Sequence, residues 1–521
     1  MKNQIISISK KNLFFVLLSL FSFIYIFIGT GLHGDDYPLI NEYNNKDLNY
    51  FFSLDPKVRN QTLFGIINHY FFYWAYPVFK YNNLLLYDLL KIIIHLISVY
   101  LVYKFISLYI SKNRSIFFSF AFVFFPIHDS TIFWYMTNPY IFTPSIIFYS
   151  AYILKKNHNI YFCFILILIA CFTSYSSPPF MLGICILFLL EKNYKGFFVS
   201  ILAFIIYCTY YITLSTYFPE YEKRISEDID IIILSKNYFL QLLTLTDTFF
   251  GLSFIFKIYS SISSINFFSF IIATILLIFS LNYFKFNQFD FSKNLFFSFI
   301  IICLSSLFIF SITNQYWQSP FNLGNRITVS STLIIVFLLT SIKNNKLLII
   351  IFFLLVVYPV FGLSDHWKSW NYNQNEIIKN IKNNKDLEKV TNNDLLIIKD
   401  NMYSQLGNFS HIELFVMPWV ANSIFKKEVE YAEIFSLNEY SSISGYFLID
   451  KKFNHMINLT NYKKIYVYAT KENILVNISI EELKEIKKNI ESKKRHWIQL
   501  IKNKYIVGFI VKISPRLRYL F

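Results

Sequence analysis

Two adjacent carboxylates, Asp35 and Asp36, follow the glycine-rich stretch Gly29-Thr30-Gly31-Leu32-His33-Gly34. Carboxylates paired where a chain leaves an apolar segment repel each other and are partly desolvated, which raises one pKa and makes a general base. The bland alternative is that they merely end the segment at water. A second group, Pro126-Ile127-His128-Asp129-Ser130, is followed by Trp134. His128 and Asp129 suit orienting a substrate or, together with Asp36, holding a divalent cation such as Mg or Mn. Otherwise they cap and solvate a helix end. Arg326, in Gly324-Asn325-Arg326, and Arg59, beside Asp55-Pro56, are two of seven arginines in a chain with 41 lysines. Where lysine is the default cation, arginine marks a need for a planar fork that grips phosphate, against the alternative of a plain surface charge. Asp88, Lys91 and His95, at i, i+3 and i+7, share one helix face, either as an internal pair or facing a substrate.

The elements that must position these residues are membrane spans. Apolar runs recur to about residue 363, and eleven are expected: 12–33, 83–103, 115–127, 134–154, 160–175, 178–190, 197–217, 263–283, 294–312, 327–342 and 347–363. The first ends without a small-x-small cleavage site and reads as a retained span. Lys112/Arg114, Lys155/Lys156, Lys192/Lys195, Lys285/Lys293 and Lys343/Lys346 fill alternate connections, so these loops and the N-terminus are expected on the cytoplasmic side. That frame places the carboxylates, His128 and Arg326 outside. Residues 34–82 and 218–250 are then outer segments, the second rich in acids. In 63–74, Leu63, Ile66, Ile67, Tyr70, Phe71 and Trp74 form an apolar stripe expected on an interfacial helix. Residues 364–521 carry β-like runs at 395–399, 446–449, 465–469 and 505–511, and are expected to form an extracytoplasmic α/β or α+β domain.

The composition agrees with membrane residence. Of 521 residues, 55% are hydrophobic and only 15% charged, which excludes a disordered chain and an ordinary soluble enzyme. The net charge of +16 resolves into loop lysines and a mildly basic tail, so nucleic acid is not an expected partner. All five cysteines fall in apolar runs and read as small hydrophobes. No P-loop, HExxH or CxxC occurs, and no GxGxxG follows a strand (Gly29–Gly34 ends an apolar span instead), which disfavours an ATP-driven pump.

In its order of features, the chain resembles the GT-C superfamily of integral membrane glycosyltransferases, which use polyprenyl-phosphate-linked sugars. The features are one span, an Asp-Asp pair, an arginine-bearing segment with an interfacial helix, a histidine-bearing second span, Pro-Ile-His-Asp…Trp after span three, a late Gly-Asn-Arg and a C-terminal outer domain. Ser130 stands where relatives often carry an acid. The resemblance implies a polytopic α-helical membrane protein of a bacterial inner or plasma membrane that transfers sugar, with inversion, to a cell-envelope glycan, lipid or protein. Asp36, or Asp35, would accept the proton, and Arg326, with Arg59 or Lys91, would bind the lipid phosphate. His128, Asp129, His95 and Trp134 would orient donor or acceptor. The rival readings are a transporter or flippase of lipid-linked glycan, a glycan polymerase or ligase, and a non-catalytic scaffold.

Overall fold

A computed structural model describes residues 10–43, 46, 62–81, 83–156, 159–174, 176–217, 230–286, 291–313, 316–426, 428–429, 432–490, 494, 496–500, 505 and 508. Six described helical stretches are long and apolar enough to cross a bilayer: Leu84–Ile106, Tyr194–Leu214, Ile231–Ser263, Lys293–Thr313, Leu323–Thr340 and Asn345–Asn383. Four shorter apolar helices, Leu13–Phe27, Ile160–Thr173, Ser177–Leu190 and Phe267–Tyr283, pack among them. The outward faces are apolar. Leu85, Leu89, Ile93, Leu96 and Tyr100 recur along one side of Leu84–Ile106, each at least 40% exposed, whereas Asp88, Lys91 and His95 on the other side are buried. Helices that are oily outside and carry their polar groups inside belong in lipid. The chain is an integral membrane protein of helical class with a β-rich C-terminal unit.

The expected eleven spans are not all built as such. The third is a helix of 12 residues, Lys112–Val123, ending ahead of Pro126, as proline disfavours helix in the residue before it. The fourth starts only at Pro139, after three short turns. Within 218–250, expected to lie outside the membrane, Ile231–Phe250 is a helix that continues past a break at Gly251 into Leu252–Ser263. The acids ahead of Asp230 masked its apolar character, and 218–229 lie outside the described residues. The boundary expected at 363 falls inside one helix, Tyr358–Asn383. The stripe in 63–74 is built from a helix, Leu63–Asn68, and a π-helical turn, His69–Tyr73; Tyr70 and Phe71 face outward, while Phe64 and Phe72 face the core.

One face of Tyr358–Asn383 locks the first span. Ser364 Oγ donates to Ile26 O (2.7 Å), Asn371 Nδ2 to Gly29 O (2.9 Å) and Gln374 Nε2 to Leu32 O (3.2 Å). Those carbonyls lie in the last turn of the first helix, Lys10–Phe27, and just beyond it, where its own hydrogen bonds run out. Gly31, at φ +65°, lies so close that a Cβ there would sit 2.0 Å from Asn371 Oδ1.

The C-terminal unit holds β1 (Asp394–Lys399), β2 (Tyr403–Leu406), β3 (Phe409–Glu413), β4 (Glu433–Ser436), β5 (Ser441–Ser444), β6 (Phe447–Asp450), β7 (His455–Asn458), β8 (Lys464–Ala469) and β9 (Ile474–Ile478). The main sheet runs β4-β1-β8-β9, with β1 parallel to both neighbours and β9 antiparallel to β8. β1 is buried on both faces, which explains its unbroken Leu-Leu-Ile-Ile run: Leu395 and Ile397 pack toward Leu483, Leu396 and Ile398 toward the main core. The runs expected at 395–399, 446–449 and 465–469 match β1, β6 and β8. The run at 505–511 lies mostly outside the described residues. The β2–β3 hairpin and the helix Pro418–Phe425 seat the unit on one end of the bundle. Phe409 packs on Phe321 with ring centroids 4.5 Å apart, and Asn41 Nδ2 donates to Ser423 O at 2.6 Å.

The basic loops meet at the other end. Arg114 donates to Thr340 O and Ile342 O, and Asn113 to Lys285 O. Helix crossing inside the bundle is equally tight: a Cβ on Gly362 would sit 1.8 Å from the carbonyl oxygen of Ser261. Gly362→Val should therefore cost about 1–3 kcal/mol or more by overpacking, read as a lower unfolding temperature in detergent.

Candidate active site

Asp129 lies at the end of the third helix with both carboxylate oxygens occupied. Oδ1 accepts from Lys257 Nζ (2.9 Å) and Asn325 Nδ2; Oδ2 accepts from Trp367 Nε1 (2.7 Å) and His411 Nε2 (2.7 Å). Every one of these side chains is buried. His411 Nδ1 accepts the Asn322 N–H (3.2 Å), so Nε2 carries the ring proton and the imidazole is neutral, in keeping with burial holding its pKa below the ordinary value. The charge opposite Asp129 is thus that of Lys257. Burial pushes the Asp129 carboxyl up, but its contacts with His411 and Lys257 more than offset this and hold it below the usual range. A carboxylate so engaged ties elements together rather than meeting a substrate. Of its partners, the sequence marks only Asn325, by its place beside Arg326. Lys257, a lone cation in an apolar run, carried a signal that was overlooked; His411 carried none.

The two aspartates of the first loop differ. Asp36 is fully buried: Oδ1 accepts from Tyr76 Oη (2.6 Å) and Met136 N (3.2 Å), Oδ2 from His33 N (2.9 Å). Burial pushes its pKa up to about 7, although these hydrogen bonds pull the other way. Asp35 is half-buried, and its Oδ1 accepts from Trp419 Nε1 of the β unit at 2.5 Å. Asp35 is therefore the member with access to solvent.

Arg326 stands in a box of rings. Its guanidinium carbon lies 4.9 Å from the Tyr316 ring centre, 5.4 Å from Trp134 and 5.6 Å from Tyr140, and it donates to Leu323 O and Tyr316 Oη. The segment 134–140 joins this box to the first loop. Trp134 and Tyr140 face Arg326, Met136 N–H holds Asp36, and a Cβ on Gly34 would lie 3.1 Å from Trp134. Asp35, Asp36, Trp134 and Arg326 thus share one region at the end of the bundle under the β unit. Asp129 is linked to it through Asn325, which also accepts from Ser130 N (3.2 Å).

The other expected residues lie elsewhere or face inward. Lys91 Nζ reaches Asp88 Oδ1 (2.7 Å), Thr30 Oγ1 (2.6 Å), Gly31 O (2.9 Å) and Phe133 O (3.1 Å), while Asp88 accepts the Gly29 and Gly31 N–H groups. The pair clamps the glycine turn and is fully buried at Lys91. His95 sits between Lys91 O and Thr131 O, and His128 between Thr131 Oγ1 and Phe122 O. Arg59 lies outside the described residues. Asp36, Asp129 and His128 are each engaged by other partners, Asp129 by a lysine among them. No group of three or more His, Cys, Asp or Glu among the described residues is placed to hold a metal. The five cysteines are free thiols, four of them buried. No family model, curated protein or solved structure matches this chain.

Lys257→Met leaves Asp129 charged and unpaired in the interior, and should cost about 3–5 kcal/mol. Adding Asp129→Asn should recover part of this, measured by thermal unfolding in detergent. Asp36 holds its proton more tightly in the folded protein than at its unfolded value of 3.8. The stability it contributes is complete below about pH 4 and lost as pH rises through about 7. Unfolding temperatures across that window should show this fall, and Asp36→Asn should flatten it.

Proposed function

We propose that this protein is a membrane glycosyltransferase of GT-C type, which moves a sugar from a polyprenyl-phosphate donor to a cell-envelope acceptor on the extracytoplasmic face. The observation that carries the reading is the shared scaffold of 134–140, which holds a carboxylate pair on one side and an arginine on the other. Nucleophilic displacement at an anomeric carbon needs these two groups at its two ends. The acceptor oxygen loses a proton as it attacks, and the departing phosphate keeps the electron pair of the broken bond.

Asp35 takes the acceptor proton, because it is the carboxylate with access. Asp36, held by Tyr76, His33 N–H and Met136 N–H, fixes the turn that presents it. Arg326 meets the phosphate, and the sugar inverts as the new bond forms opposite the old one. A donor arriving through the bilayer also accounts for a chain without a nucleotide-binding motif. In this reading the basic loops face the cytoplasm and the β unit lies outside, above the site. The Asp88–Lys91–His95 stripe has its hydrogen bonds within the protein, which favours a transferase over a flippase that would use the stripe as a path.

Asp35→Asn should lower transfer by about 100-fold or more, the usual contribution of a general base, with unchanged abundance and unfolding temperature. Arg326→Ala should lower it similarly. The assay follows surface glycan and the pool of lipid-phosphate sugar. Unaltered glycan in both variants would sink the proposal, and trapping of the lipid-linked sugar on the cytoplasmic leaflet would point to a flippase.

A further inference from the structure

The surroundings of Arg326 hold a concentration of buried polar atoms that have no hydrogen-bond partner. Asn138 lies between Trp134 and Tyr140, whose rings face Arg326. It is 0% exposed, and neither its Nδ2 nor its Oδ1 is bonded. Gln318 lies two residues past Tyr316, the third ring of the box. It is 2% exposed, and both ends of its amide are likewise unbonded. Trp134 Nε1 and Ser330 Oγ, four residues beyond Arg326, are in the same condition. So is Gln241 Oε1, although Gln241 Nε2 donates to Tyr316 O at 2.7 Å. Among the described residues, Asn138 and Gln318 are the only buried side-chain amides with both ends unpartnered. Folded proteins rarely leave such groups dry, because each forfeits its hydration without return.

The position has a second property. Asn138 is the N-cap residue of the helix Pro139–Lys155, and its side chain makes no capping bond. Pro139 has no N–H, and Ile141 N–H already donates to Asn138 O at 3.2 Å, so the start of the helix makes no demand on the Asn138 amide. Amides that offer a donor and an acceptor side by side match the hydroxyls of a sugar ring, and an indole suits its apolar face.

We infer that this cluster is a subsite for a glycosyl monophosphate: phosphate on Arg326, sugar hydroxyls on Asn138 and Gln318, sugar ring against Trp134. The assignment of the ligand rests on the transferase reading. It makes Asn138 and Gln318 the residues that select the sugar, while Arg326 supplies affinity for the phosphate group whatever it carries.

The test is binding to the purified full chain in detergent micelles by calorimetry. The probes are a panel of hexose and N-acetylhexosamine 1-phosphates in both anomers, inorganic phosphate, and the best sugar phosphate carrying a farnesyl chain. At least one sugar phosphate should bind about tenfold more tightly than inorganic phosphate. Asn138→Leu and Gln318→Leu should each remove that advantage while leaving phosphate binding within about twofold, and Arg326→Ala should weaken both. Leucine removes an unpaired buried amide, so these variants should fold and unfold at the wild-type temperature or above. Leucine variants that bind the sugar phosphate like wild type would overturn the subsite, as would a panel no better than phosphate. A farnesyl chain that adds no affinity would overturn the lipid-linked source while leaving the sugar contacts standing. Binding that behaves as expected in a protein whose Asp35→Asn and Arg326→Ala variants both leave surface glycan unaltered would sink the transferase reading alone.

Discussion

One buried carboxylate holds four separate parts of the chain in register. Asp129 receives hydrogen bonds from Lys257, Asn325, Trp367 and His411, which belong to two different apolar helices, the segment bearing Arg326, and the β unit. An ion buried this deeply is tolerated only when every lone pair is met, and here all partners must arrive together. The demand fixes the β unit against the bundle more firmly than apolar packing alone, because apolar faces can slide and four directed bonds cannot. It also places Arg326, one residue beyond Asn325, at a fixed distance from the third helix end.

The same logic recurs at the glycine turn. Asp88 and Lys91 share a helix face in the second span, and their charge is spent on the backbone of residues 29–31 and on Phe133 O. Both buried ion pairs therefore organise the loops that carry Asp35, Asp36 and Trp134. The bundle builds its outer end from polar contacts and its middle from aromatic packing such as Phe105 on Phe148, at 5.0 Å.

How much of this was legible in the sequence differed by kind of residue. The membrane class, three of the strands and the inward face of the second span follow from periodicity, which registers burial directly. The sequence leads one to expect Asp36, Asp129 and Arg326 near one another; in the fold Asp35, Asp36, Trp134 and Arg326 share one region, and Asp129 is joined to it through Asn325. The role of Asp129 was not, because its partners lie 128, 196, 238 and 282 residues away, and nothing local marks His411 as anything but a β-strand polar residue. Eleven spans are not supported because hydropathy averages do not see where Pro126 and the short turns up to Asn138 interrupt the backbone. Ile231–Phe250 was lost for the opposite reason, a run of acids just ahead of an apolar helix.

The helical stretch Asn345–Asn383 runs for 39 residues, through a π-helical turn at Phe353–Val357, into the base of the β unit. Beyond that turn, Ser364, Trp367, Asn371 and Gln374 each meet a different partner, so the helix behaves as a keyed shaft with four teeth. Each residue added or removed below the teeth would turn them by about 100°, and no tooth would find its slot. The outer surface of this shaft is free to vary in composition, yet its length is not. Lineages of such a protein can lengthen their loops and redecorate the β unit, but they inherit the shaft at fixed count.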